Sequence, residues 1–156
     1  MKLQLIAVGE MREAPLRELI TRYASRIPHY MPFELVTVPD IRARGLSEEA
    51  QKAREGAAIL SRITPGDCVV LLDERGRQLT SRELAAYIDR KASTVARNLC
   101  FVIGGPYGFP PDVYARADMQ LGLSRLTFTH EMARVLTAEQ LYRAMTILRG
   151  EPYHHD

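Results

Sequence analysis

With 156 residues, 46% hydrophobic and 26% charged, the chain has the length and composition of one globular domain over residues 1-156, which argues against a disordered or membrane-spanning protein. It contains no apolar run of ~20 residues and no export-signal pattern at its start, so a cytoplasmic protein without a membrane partner is expected. The formal charge is only +2, from 21 basic and 19 acidic side chains, so contact with nucleic acid must come from a local patch or from two copies combining their surfaces.

Lys2 to Val8 alternates and then turns apolar before Gly9, a first strand. Leu16, Leu19, Ile20, Tyr23 and Ile27 share one face of a helix that stops before Pro28, and Pro32 to Val38 alternates with period two as a second strand. Arg42 and Arg44 follow in a short connection, read equally as solvated side chains or as phosphate contacts. Ser47 caps the next helix, with Glu48 and Glu49 at the positive end of its dipole, and Ala50, Ala53, Ala57 and Leu60 mark a small-residue stripe suited to packing on a sheet.

Cys68 to Leu72 is apolar throughout, as in a strand covered on both faces, and is expected to end at Asp73. Thr80 and Glu83 form a capping-box signature before Leu84, Tyr87 and Ile88. Leu99 to Ile103 is a fourth strand, Pro110-Pro111-Asp112 starts a short helix, and Met119 to Leu123 is a short fifth strand. Thr129 and His130 open the last helix, with Met132, Val135, Leu136, Leu141, Met145 and Leu148 as its apolar positions. Strand and helix alternate throughout, which predicts a three-layer α/β domain with a mainly parallel sheet. Cys68 and Cys100 read as reduced core thiols, and no histidine or cysteine spacing supports a metal site.

Two loops carry the chemistry. Gly104-Gly105-Pro106-Tyr107-Gly108 leaves a strand abruptly; its adjacent glycines put no Cβ between the main chain and a ligand. By itself the motif is also a tight strand exit, and it matches neither a dinucleotide fingerprint nor a Walker loop. The second loop, Leu121 to Phe128, feeds the final helix.

The segments FVIGGPYG, LSRLTFTHEMARVL and EQLYRA, with the opening MKLQLIAVG and the closing PYHHD, resemble the RlmH family, small bacterial SPOUT-class methyltransferases acting on a pseudouridine of large-subunit ribosomal RNA. The resemblance runs from end to end. It implies a SPOUT fold with a C-terminal trefoil knot, a homodimer, and S-adenosylmethionine wrapped by Leu72, Gly104, Gly105, Leu123, Ser124, Arg125, Leu126, Thr127 and Phe128. Other readings are a SPOUT enzyme with another RNA target, or a non-catalytic ribosome-assembly factor.

Methylating pseudouridine N3 requires removing a weakly acidic proton and aligning the nitrogen with the sulfonium-methyl bond. Candidates for proton handling are His130, Glu131, Arg134, Arg143 and His154, of which His154 and Arg134, with Tyr153, are assigned as catalytic. Arg143, Tyr142 and His130 are assigned to RNA, against the plainer readings of a solvated arginine, a subunit-packing tyrosine and a helix-start histidine. The family's basic last residue is replaced here by His155-Asp156, and Glu131 stands where a neutral residue is expected. The tail from Pro152 is expected to contribute little to the core.

Overall fold

The computed structural model describes residues 1–40, 45–95 and 97–156, so the Arg42 and Arg44 connection lies outside the described residues. The elements in chain order are β1 Lys2–Val8, α1 Ala14–Arg26, β2 Phe33–Val38, α2 Glu48–Leu60, β3 Cys68–Gln78, α3 Ser81–Thr94, β4 Asn98–Ile103, α4 Pro111–Arg116, β5 Met119–Gly122 and α5 His130–Leu148. Among the described residues the strands form one sheet of order β2-β1-β4-β3-β5, and every neighbouring pair is parallel.

Alternation along the strands builds two cores. Leu3, Leu5, Val70, Leu99 and Phe101 face α1, α3 and α5, where Ile20, Ile88, Val135 and Leu141 meet them. Ile6, Val69, Leu71 and Val102 face the other way, against Ile59 of α2 and Val113 of α4. Each such fully buried side chain contributes about 1.5–3 kcal/mol. The two thiols lie on opposite faces, free and buried, and burial pushes the Cys100 thiol up to about 12.

Ser47 Oγ accepts the Ala50 N–H at 3.1 Å, and the Thr80/Glu83 capping box is complete. Two expectations need correction. The alanine stripe does not face the sheet: Ala53 and Ala57 are exposed, and α2 packs through Glu55, Gly56 and Ile59. The true face contains a glycine because Pro110 and Val113 sit where its Cβ would be, the nearest atom at 2.3 Å. Nor does β3 stop at Asp73. It runs on to Gln78, with a register shift between Leu72 and Arg77 and renewed pairing of Arg77 with Leu121. Gly76 allows this: the Gln120 and Leu121 backbone lies 2.7 Å from its Cβ position.

Candidate active site

A cleft of about 660 Å³ opens beyond the C-terminal ends of β4 and β5 and beside the Leu72 to Arg75 stretch of β3, on the side of the sheet edge where open parallel sheets bind ligands. One wall is the loop after β4. Gly108 donates to the Gly105 carbonyl at 3.2 Å and the two residues form a short antiparallel bridge, with Gly108 at φ +77°. The opposite wall is the run from Leu123 to Phe128, folded on itself by Ser124 Oγ, which accepts the Leu126 N–H at 3.0 Å, and tied to β3 by the Thr127 hydroxyl donating to Glu74 at 3.2 Å. It ends at Thr129, whose hydroxyl caps α5 through the Met132 N–H.

The glycine pair is needed for a different reason from the one the sequence suggests. A Cβ on Gly105 would lie 2.4 Å from the buried Glu55 carboxylate, and one on Gly104 would lie 3.0 Å from the Phe109 ring. Both glycines therefore admit the protein's own side chains, while their backbone borders the cleft.

Asp73, Arg75 and Tyr114 brace the β3 side. Tyr114 donates to Asp73 Oδ2 at 2.5 Å, Arg75 Nη2 donates to the Tyr114 oxygen at 2.9 Å, and the Arg75 backbone N–H donates to Asp73 Oδ1 at 2.9 Å. Burial favours the neutral Asp73, but Tyr114 and then Arg75 outweigh it and hold the carboxyl below its ordinary value. Burial, then Asp73, raises the phenol of Tyr114.

His130, at the first turn of α5, lines the cleft and meets the backbone of Gly104. His130 keeps an exposed edge, but partial desolvation at the cleft wall and the Arg134 cation depress its pKa against the opposing effects of Gly104 and Asp40, so the neutral imidazole is favoured. Arg134, one turn on, is buried and does not line the cleft; its guanidinium donates to Gly9 O at 2.7 Å and to Val8 O, fastening α5 to the end of β1. Glu131 also has a structural partner: Oε1 accepts the Arg12 and Glu13 backbone N–H groups at 2.7 and 3.0 Å, just before α1.

Within one chain the remaining expected residues gather elsewhere, and none of them lines the cleft. Glu139 Oε1 accepts from Arg143 Nη2 at 2.5 Å and from the Tyr153 hydroxyl at 3.0 Å. Tyr153 packs edge-on to Tyr142 at 4.8 Å and lies 4.7 Å from the Arg143 guanidinium. His154 Nδ1 meets Arg143 Nη1 at 3.2 Å and Nε2 meets Asp156 Oδ1 at 2.6 Å. Because guanidinium only donates, Nδ1 accepts and Nε2–H donates, which defines the neutral tautomer. Asp156 also binds Arg82 at 2.7 Å. The tail is thus built onto α5 and α3, contrary to the expectation that it adds little.

Leu72, Gly104, Gly105, Leu123, Ser124, Leu126, Thr127 and Phe128 border the cleft as expected, whereas Arg125 does not. Tyr107 of the glycine loop borders it too, and Lys52, Asp73, Arg75 and Tyr114 border it unanticipated. Asp73 could have been found, since it is the first polar residue after the apolar run Cys68 to Leu72, and the polar break in a buried parallel strand marks the edge where ligands bind. Lys52 and Tyr114 could not, because only packing of α2 and α4 brings them there.

The chain is similar to known proteins along its whole length. A chain from Parabacteroides distasonis called ribosomal RNA large subunit methyltransferase H is 47% identical over 157 residues, covering all of both chains. One of the same name from Cytophaga hutchinsonii is 46% identical over 155 residues, covering 99% of this chain and all of that one. Among solved structures, a probable methyltransferase from Bordetella pertussis superposes with TM-score 0.56 at 16% identity, over 92% of this chain and 94% of that one, a likeness of fold. The family described as "Predicted SPOUT methyltransferase" matches residues 1–154, and the chain belongs to the SPOUT methyltransferase family.

Proposed function

We propose that the protein transfers a methyl group from S-adenosylmethionine to N3 of a pseudouridine in large-subunit ribosomal RNA, in the cytoplasm, on assembled ribosomes and as a homodimer. The observation that carries this reading is the meeting of both loops in one cleft, with eight of nine expected cofactor residues on its walls. Relatives named as large-subunit ribosomal RNA methyltransferases over the full chain support the substrate.

The residues suit the cofactor: Leu72, Leu123, Leu126 and Phe128 offer apolar surface to a purine, and the loops offer main-chain donors and acceptors to its edge. When bound, it supplies an electrophilic methyl on a sulfonium. The chain positions the acceptor, excludes water and takes the imide proton. In the proposed dimer each tail lies over the partner's cleft, because one chain alone leaves His154 and Tyr153 away from its own. His154 is the proposed proton acceptor: Nδ1 takes the proton once Arg143 Nη1, which donates to it in the free chain, turns away to the substrate, while Nε2–H stays hydrogen-bonded to Asp156. Arg134 acts by fixing the start of α5, and with it His130, at the cleft edge. The knotted path of the C-terminal third belongs to the same proposal.

The test is transfer of labelled methyl from S-adenosylmethionine to ribosomes lacking the modification, followed by digestion and identification of the labelled nucleoside. Label on pseudouridine N3 is expected; binding of ribosomes without transfer would indicate an assembly factor, and label on another nucleotide a different target.

A further inference from the structure

Of seven tyrosines, six have partners inside the protein. Tyr23, Tyr30, Tyr142 and Tyr153 pack ring against ring, Tyr87 meets Cys68 Sγ at 3.6 Å, and Tyr114 is bonded to Asp73 and Arg75. Tyr107 has no hydrogen bond, ring neighbour or cation among the described residues, and it is 42% exposed at the edge of the cleft. A solvated aromatic ring on a floppy loop would be unremarked. This one stands on the turn closed by the Gly105–Gly108 bridge, with the ring of Pro106 restricting the residue before it, so little entropy is lost when something covers it.

Its surroundings indicate what that is. Lys52, which has no ion pair among the described residues, borders the same cleft, as does the 74% exposed Arg75. Cations lining the same cleft as an unpartnered aromatic ring are a combination that can hold a nucleic-acid strand, phosphate on the cation and base on the ring. The apolar surface inside the cleft comes from Leu72, Leu123 and Phe128, which leaves the rim ring free for a second aromatic ligand.

We propose that Tyr107 is the stacking platform for a nucleobase of the RNA substrate at the mouth of the cleft, with Lys52 taking a neighbouring phosphate. This rests on the RNA methyltransferase reading given above and names a residue that recognises its substrate.

Tyr107→Ala should raise KM for ribosomes about tenfold, the loss expected for removing one base–aromatic stack, with kcat within about twofold of wild type. Its melting temperature and its S-adenosylmethionine Kd by calorimetry should not change, and Tyr107→Phe should behave as wild type. Since the chain has no tryptophan, Tyr107→Trp installs a single reporter, whose emission should be quenched by a single-stranded uridine-rich RNA and not by S-adenosylmethionine. An unchanged KM in Tyr107→Ala, a weakened cofactor Kd, or quenching by the cofactor would overturn the proposal. If wild type transfers no methyl to ribosomes, the enzymatic reading fails, and quenching by the RNA oligonucleotide still decides the role of Tyr107.

Discussion

Gly105 and Glu55 compete for one space, so the most informative substitution in the loop is one that reports on both. Gly105→Val places a branched side chain against a buried carboxylate, and should lower stability by about 1–3 kcal/mol, the usual cost of overpacking, while abolishing cofactor binding. Calorimetry finding an unchanged melting temperature would show that Glu55 moves aside freely. His130 supplies a pH signature. Its folded pKa lies below the ordinary 6.5, so the unfolded chain takes the proton first as pH falls. Well above pH 6.5 neither state is protonated and the residue contributes nothing to pH dependence; as pH falls through that value the unfolded state gains the proton and stability is lost, and once pH is below the folded value both states are protonated and the loss stays at its full size. His130→Gln should therefore reduce the loss of stability between pH 7.5 and 5.5 in urea titrations, and identical losses in the two proteins would contradict the desolvation argument.

At the scale of elements, the last helix and the tail form one unit. Tyr153→Ala removes an edge-on contact with Tyr142, a cation-π contact with Arg143 and a hydrogen bond to Glu139, and should cost about 1–2 kcal/mol, read as a lower urea midpoint. Deleting Tyr153 to Asp156 should lower the melting temperature further and also abolish turnover. Retained turnover in a stably folded truncation would remove the tail from the proposed mechanism. The alanine stripe of α2 failed as a guide because a helix contacting α4 as well as the sheet buries the residues that fit both, here Gly56 against Pro110 and Ile59 against the sheet. The capping signatures of α2, α3 and α5 succeeded because each involves residues within a few positions of one another.

The whole molecule poses the question of what covers the outer side of α5. Its inner side is buried against α1 and α3, yet Met132 in its first turn remains exposed, as do Leu126 and Phe128 of the cleft loop that leads into it, and Leu148 is exposed at the far end. A helix apolar on more than one side is normally covered on more than one side. A second copy of the chain is the proposed cover, and light scattering should give twice the 17.6 kDa chain mass. Met132→Glu should shift the protein toward monomer and reduce turnover, with the cofactor site intact in each chain. A monomer with wild-type activity would overturn both the dimer and the tail's assignment to the partner's cleft.

The amino-acid order by itself determined what depends on near neighbours: the alternation of strands and helices, the caps at Ser47, Thr80 and Thr129, the two core thiols, and the loops that border the cleft. Periodicity and capping act within a turn or two of chain, so they survive in one dimension. Only the tertiary structure decided that β3 continues past Asp73, because the pairing that extends it comes from β5, some forty residues away. It also decided that Arg134 and Glu131 are struts to the end of β1 and the start of α1, and that Lys52, Tyr107 and Tyr114 share one cleft. Those assignments rest on contacts between segments far apart in the chain, whose partners no local pattern identifies.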